Sequence, residues 1–467
     1  MLTKSDFLLF LDAPMHLWAK AHDALAERAP TPLEQHILQQ GQQVEALARQ
    51  FLEKHLRSNG KQAQLLWQSG YNDGRYEIRV DGLVYDPAAD AYDLYEIKSA
   101  TKIKPEHEYD LAFQSLLLAT TLRLRSLYLI HINSDYVFSG ELDLDRLFTI
   151  EAVSDPVAQR QEEVLQLREA AWQVSRMAAP QPEFACTNPK TCPCPSLCHP
   201  NLPAHPIYDL PRIGRKARDL REKGILDIRD IPADYPLNAK QARHVQVIRS
   251  GEARIDRRSI RAWLEGLAFP LYFLDYETFA PAIPLFPGYR PYEQVIFQYS
   301  LYKVSQPGVD PEHFACLVTD KVDPEPPLAE DLLRHLEPEG SVLVWYAPFE
   351  KGCNESLAAH CPERAAALLG INDRIRDLME PFSKGWYIHP EFHGSASLKA
   401  VLPVLCPALS YADLKIKDGQ EAMLSWYGQQ QGDLSPQDLA ELREALLAYC
   451  QRDTYGMVAL WNHLQNL

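Results

Sequence analysis

Two acids and a lysine stand close together in the first third of the chain. Asp81 closes an alternating stretch, Tyr76–Gly82, and a second such stretch, Tyr92–Lys98, carries Glu96 and Lys98 two positions apart. On a strand that spacing puts both side chains on one face. Two carboxylates meeting an ammonium suit metal-assisted phosphodiester hydrolysis. The acids would hold Mg2+ or Mn2+ through oxygen, and the lysine would position or help deprotonate the attacking water. A bare Glu-x-Lys also occurs on ordinary solvated strands. Here the acid–glycine strand before it and a following helix bearing Gln114 add to the pattern.

A second set lies near the C-terminus. The apolar run Leu271–Leu274 ends in Asp275 and Glu277, again two apart. A buried strand that presents two acids on one face carries an electrostatic cost unless a cation sits there. A further apolar run, Ser341–Trp345, leads into a helix that opens near Glu350, and Asp377 is another acid within reach of such a group. Tyr449 and Asp453 are four apart on a strong helical pattern, so they share a face and can reach the same site.

Four of the nine cysteines fall in one short loop: Cys186, Cys192, Cys194 and Cys198. Thiolate sets of this kind bind an iron–sulfur cluster, the occupant expected here, or alternatively zinc, although the spacing is not a zinc ribbon's. The other five (Cys316, Cys353, Cys361, Cys406, Cys450) are scattered and read as small buried hydrophobes.

The elements that must position these residues form an α/β multidomain chain. Its 467 residues, 46% hydrophobic and 24% charged, exclude a disordered or collagen-like protein and fit two to four domains. No apolar run is long enough for a membrane span. Asp6 and Asp12 interrupt the N-terminal apolar stretch, which argues against a secretory signal and for a cytoplasmic protein without disulfides. Residues 1–180 read as mixed α/β, with helices in the first fifty-odd residues, strands at 76–84, 92–98 and 126–133 and a helix at 107–123. Residues 181–205 form a Pro- and Cys-rich loop and 206–260 a helical connector. Residues 261–467 form a second α/β unit ending in a helix over 439–465.

The net charge of −16 argues against a phosphate binder, yet it is uneven. Between His205 and Arg261 stand 14 Lys/Arg and 8 Asp/Glu, a local +6, which leaves −22 for the remainder. Within that island Arg212, Arg215, Lys216 and Arg218 cluster about Gly214. The segment resembles a helix-hairpin-helix unit whose cations would neutralise phosphates, and the plainer reading is a solvated linker. His389 and His393 read as surface loop histidines. No Walker or GxGxxG loop is present, so unwinding would need a separate helicase partner.

The order Asp81, Glu96-x-Lys98 and a helical Gln114 resembles the RecB-like branch of the PD-(D/E)XK nucleases. That resemblance implies an upstream metal ligand four residues after a glycine, which Gly41 and Glu45 supply. RecB-like nucleases of the CRISPR-adaptation type also carry a four-iron cluster ([4Fe–4S]) on one N-terminal cysteine and three cysteines after the nuclease core. This chain departs from that pattern: Ala13 stands where the N-terminal cysteine is expected. The C-terminal set resembles the DnaQ-like (DEDD) 3′–5′ exonucleases of the RNase H fold. The resemblance implies metal binding by Asp275, Glu277, Glu350 and Asp453 with Tyr449 orienting water, Glu350 standing where aspartate is usual. Stretches such as His131–Tyr136, Pro291–Ser300 and Gly394–Lys399 extend the likeness to a bacterial group that fuses the two domains. The expected activity is metal-dependent cleavage of DNA ends or single strands. The rivals are an RNA-processing exonuclease, a protein with one active domain and one nucleic-acid-binding scaffold, and a non-catalytic scaffold.

Overall fold

Alternation becomes strand and helical periodicity becomes helix along most of the chain. The computed structural model describes residues 1–25, 29–58 and 64–467, and the chain divides into two units. One comprises Met1–Asn201 and Pro281–Glu293, the other Leu202–Ala280 and Gln294–Leu467. The cysteine loop therefore packs with the first unit and the connector with the second. The short stretch Pro281–Glu293, inside the expected C-terminal domain, returns to the first.

The first unit holds a six-stranded sheet: β1 (Leu2–Thr3), β2 (Gln64–Asn72), β3 (Tyr76–Asp86), β4 (Ala91–Lys98), β5 (Leu124–Ile132) and β6 (Phe148–Ala152). Its order is β1-β3-β4-β5-β6, with β2 also on β3. The β3–β4 pair is antiparallel and β4–β5 parallel. Because side chains alternate faces, Leu94 joins Phe7, Leu111, Phe113 and Val164 in one apolar cluster, while Tyr95 and Ile97 join Val44, Phe51 and Leu52 in another. Helices Lys4–Asp12, Pro105–Leu118 and Ser154–Ser175 thus cover one face and Pro32–Ser58 the other. Strand β2 is not legible as alternation; Gln68 breaks it with a φ of 48°.

In the second unit β7 (Arg254–Ile255) pairs with β13 (Tyr387–Ile388). The main sheet has β8 (Leu271–Phe279), β9 (Val295–Val304), β10 (Glu312–Leu317), β11 (Ser341–Val344) and β12 (Ile375–Asp377) in the order β10-β9-β8-β11-β12. The first three strands are antiparallel, and β8, β11 and β12 are parallel. Strand β8 is therefore central and buried on both faces, which its unbroken apolar run reflects. The C-terminal helix spans Pro436–Gln465 and opens on Ser435, whose side chain accepts from the Asp438 N–H. Among the described residues, no helix is long and apolar enough to cross a membrane.

The start of β11 depends on one glycine. Gly340 has a φ of 87°, and a Cβ there would lie 2.0 Å from the Pro270 carbonyl oxygen. Gly340→Ala meets both a strained backbone and a backbone clash. We expect a loss of ~2–4 kcal/mol in denaturant-induced unfolding; an unchanged midpoint would refute this account of the β8–β11 junction.

Candidate active sites and metal centre

The β3–β4 ladder ends at the Gly82–Tyr95 pair, so Asp81 and Glu96 lie where the two strands part. There Asp81 Oδ2 accepts from the Ile97 N–H at 2.9 Å. Lys98 Nζ donates to Glu96 Oε1 at 2.7 Å and to Asp110 Oδ2 at 2.5 Å, and Lys4 Nζ donates to Glu96 Oε1 at 2.8 Å. Gln114 Nε2 donates to Glu96 Oε2 and Asp110 Oδ1, both at 2.9 Å. Glu96, Lys98 and Gln114 are thus brought together, with Asp81 beside them. Glu45 touches this group through Gln68, whose Nε2 lies 2.7 Å from Glu45 Oε1 and 3.3 Å from Asp81 Oδ1; Arg49 also bonds Glu45.

Asp110 and Lys4 were not singled out in the sequence. Asp110 lies one turn before Gln114 on the same helix, so i,i+4 arithmetic could have found it. Lys4 left no comparable signal. Three acids face two ammonium groups here, and the charges respond. Burial, then repulsion from Glu96, pushes Asp81 up to about 7. Burial also opposes the charge on Glu96, but Lys98 and Lys4 hold its carboxyl well below the usual range. Burial works against the Lys98 ammonium too, yet Glu96 and Asp110 keep it well above its ordinary value. A lysine held this firmly cannot accept a proton near neutrality; it can hold a phosphate oxygen or a water.

In the second unit Asp275 pairs with Ser300 and Glu277 with Gln298 across β8 and β9. Oxygens of Asp275 and Glu277 and the sulfur of Cys450 lie within 4.8 Å of one another. Cys450, read in the sequence as a plain buried hydrophobe, is buried, but its Sγ stands 3.7 Å from Asp275 Oδ2. Its place next to Tyr449 was the available clue. Asp453 accepts hydrogen bonds from the hydroxyls of Tyr411 and Tyr449. Lys399 Nζ stands over the rings of Tyr449 and Tyr411 at 5.3 and 5.7 Å. A Cβ on Gly419 would lie 3.7 Å from both Glu277 Oε2 and Tyr449 Oη, so this helix start closes in on the acids.

Burial and then mutual repulsion push Asp275, Glu277 and Glu350 well above the carboxylate range, and burial raises Asp453. Glu350 is 2% exposed, and its Oε2 is buried without a hydrogen-bond partner among the described residues. Asp377, expected as a supporting acid, is used otherwise. Its oxygens accept from the N–H groups of Tyr346 and Ala347 at 3.1 Å and Met379 at 3.0 Å, which caps the helix that delivers Glu350. Hard oxygen donors with an orphaned buried oxygen fit Mg2+ or Mn2+.

The cysteine loop gathers more than its own thiols. His16 Nε2 lies 3.5 Å from Cys192 Sγ, His199 Nε2 3.2 Å from Cys186 Sγ, and Cys194 Sγ 3.7 Å from Cys198 Sγ. In the connector Arg212, Arg215 and Arg218 are exposed. Lys216 is spent on the Pro236 carbonyl at 2.5 Å and Gln241 Oε1 at 3.2 Å. His393 is exposed but not a solitary loop histidine, since its Nδ1 lies 3.0 Å from Asp209 Oδ2 and its ring 5.5 Å from that of His205.

Residues 272–397 match a family model described as a domain of unknown function, DUF2779. The matched span contains Asp275, Glu277 and Glu350. No curated protein matches the chain. Among solved structures it is similar to an alkaline exonuclease from Laribacter hongkongensis, at 14% identity over 37% of this chain and 89% of that chain, with a TM-score of 0.24.

The raised carboxyls fix the sign of a pH effect. A buried acid whose folded pKa lies above its unfolded value contributes stability that is lost as pH rises through the raised value. In chelator, Glu350→Gln should therefore melt at a higher temperature than wild type, by a margin that grows from about pH 5 to about pH 8. Mg2+ or Mn2+ should stabilise wild type more than the variant. A pH-independent margin, or an equal metal effect, would show that the acids do not share one charge-poor space.

Proposed function

We propose that this protein is a divalent-metal-dependent nuclease with two separate phosphodiesterase sites, acting on DNA ends or single strands. The observation that carries the reading is the convergence of half-buried Asp275 with buried Glu277, Glu350 and Asp453, all four raised, from β8 and two helices. The sheet around them supports it. Numbered along the chain, its strands run 3-2-1-4-5 with the last two parallel to the first, which puts the Asp275–Glu277 strand at the centre. A divalent cation in such a site supplies Lewis acidity at the phosphoryl group. Burial and the neighbouring Asp453 hold the Tyr449 hydroxyl protonated; its proton goes to Asp453, so its oxygen is left to accept from, and orient, an attacking water.

At the first site Asp81 and Glu96 would hold the cation, with Glu45 behind Gln68, and Lys98 would bind a phosphate oxygen. One observation favours a second reading. Both Glu96 oxygens are already engaged by Lys4, Lys98 and Gln114, which suits a domain that grips nucleic acid while the other cuts. Without a phosphate-binding loop, strand separation falls to a separate helicase.

End-labelled single- and double-stranded DNA and matched RNA, incubated with Mg2+ or Mn2+, test this directly. Asp275→Ala should lower exonucleolytic laddering by about 100-fold or more, and Lys98→Ala should remove the other product pattern. The double variant should be inactive. If Asp275→Ala alone abolishes all cleavage, the first site is a binding platform; RNA cut in preference to DNA selects the RNA-processing reading. A double variant as active as wild type sinks both sites.

The exposed arginines carry their own expectation. Replacing Arg212, Arg215 and Arg218 with Ala should weaken duplex binding and reduce its salt slope by about 0.9 for each phosphate no longer neutralised. An unchanged slope returns the connector to a plain linker. Lys216 is left intact because its ammonium holds the connector together.

A further inference from the structure

The structure assigns the metal of the cysteine loop to one tetrahedral zinc ion held by His16, Cys186, Cys192 and Cys198. Cys194 lies outside the ligand set. This assignment is independent of the nuclease reading.

Distances carry the argument. The imidazole nitrogen and three sulfurs all lie within 4.8 Å of one another. An ion with Zn–S near 2.3 Å and Zn–N near 2.0–2.1 Å in tetrahedral geometry sets its sulfurs about 3.8 Å apart and its nitrogen about 3.6 Å from each sulfur. His16 Nε2 stands 3.5 Å from Cys192 Sγ. A four-iron cluster places each ligand on a different iron atom and needs the set spread wider around its own core. Four donors drawn in this closely leave room for one ion, and their number closes its coordination, as in a structural zinc site.

His16 is built for this role. It is 1% exposed on the helix Pro14–Ala21, in a wall that includes Ala13, Met15, Cys186 and Cys198. Its Nδ1 lies 2.7 Å from Asp12 Oδ2 without the alignment of a hydrogen bond, a carboxylate close enough to favour a proton on that nitrogen, while Nε2 faces Cys192. Cys194 approaches the sulfur of Cys198 at 3.7 Å but does not belong to the mutually close set. His199, 3.2 Å from Cys186 Sγ, is placed to donate to a thiolate and steady its charge.

The ion would also join distant parts of the first unit. It ties the N-terminal helices to residues 186–198. Asp12, beside His16, ends the helix Lys4–Asp12, whose first residue reaches Glu96. The clamp therefore braces the helix that supplies one of the two cations at the first acid site.

Metal content decides the matter without any cleavage assay. The full chain, produced with both iron and zinc supplied and purified without oxygen, should carry one tightly held zinc and no stoichiometric iron or sulfide. His16→Ala should lose that zinc, Cys194→Ser should keep it, and His16→Cys should keep it through a fourth thiolate. With cobalt in place of zinc, thiolate charge-transfer absorption should strengthen in His16→Cys and stay unchanged in Cys194→Ser. Iron and sulfide in stoichiometric amounts overturn the assignment. So does zinc that survives His16→Ala but is lost in Cys194→Ser. Should His16→Ala fail to fold, the cobalt spectra of His16→Cys and Cys194→Ser still separate the two outcomes.

Discussion

Asp275, Glu277, Glu350 and Asp453 come from three elements far apart in the chain, yet they repel one another in a space where all but half-buried Asp275 are buried, and the cost of that sharing shapes the unit around them. Each charge taken from water must be met by an opposite charge, a dipole or a proton. The unit supplies some of this. Glu350 sits in the first turn of its helix, and the helix starting at Gly419 closes on Glu277. Each helix start carries roughly half a positive charge. The hydroxyls of Tyr411 and Tyr449 reach Asp453, and the Lys399 ammonium works against the rise of Asp275, Glu277 and Asp453. These contributions fall short of four negative charges, so the carboxyls stay raised.

The acid group of the first unit is solved differently. Lys4 and Lys98 sit directly on Glu96 and Asp110, and the deficit is concentrated on Asp81. One unit carries its counter-ions in its own side chains and the other leaves the balance to be met from outside. The first acid group is thus largely neutralised from within, and the second keeps a charge deficit.

Legibility in the sequence followed locality. Glu96 with Lys98, Asp275 with Glu277, and Tyr449 with Asp453 are separated by one strand repeat or one helical turn, so their spacing announced them. Strands β3, β4, β5 and β8 and the C-terminal helix were equally readable, because a two-residue or 3.6-residue period is a property of a short window. What escaped depended on chain crossings that no window contains. Lys4 meets Glu96, Tyr411 meets Asp453, and His16 meets Cys192 only after folding. The resemblance asked for a cysteine where Ala13 stands, while the N-terminal residue that meets the loop, His16, stood three positions on.

Both acid groups stand beside irregular backbone. Asp81 and Glu96 occupy the point where a ladder stops, and Asp81 offsets the loss by accepting the Ile97 N–H that the ladder no longer pairs. The register shifts between Glu277 and Thr278, and Tyr346, at a φ of 76°, begins the helix that carries Glu350. A non-glycine residue in that region is held there at a cost of about 1–3 kcal/mol. Asp377 makes it sustainable by accepting from both Tyr346 and Ala347. An acid that looked like a ligand thus does its work one step back: it fixes the turn that aims Glu350, and its own charge, facing backbone amides, adds to the repulsion that keeps the Glu350 carboxyl raised.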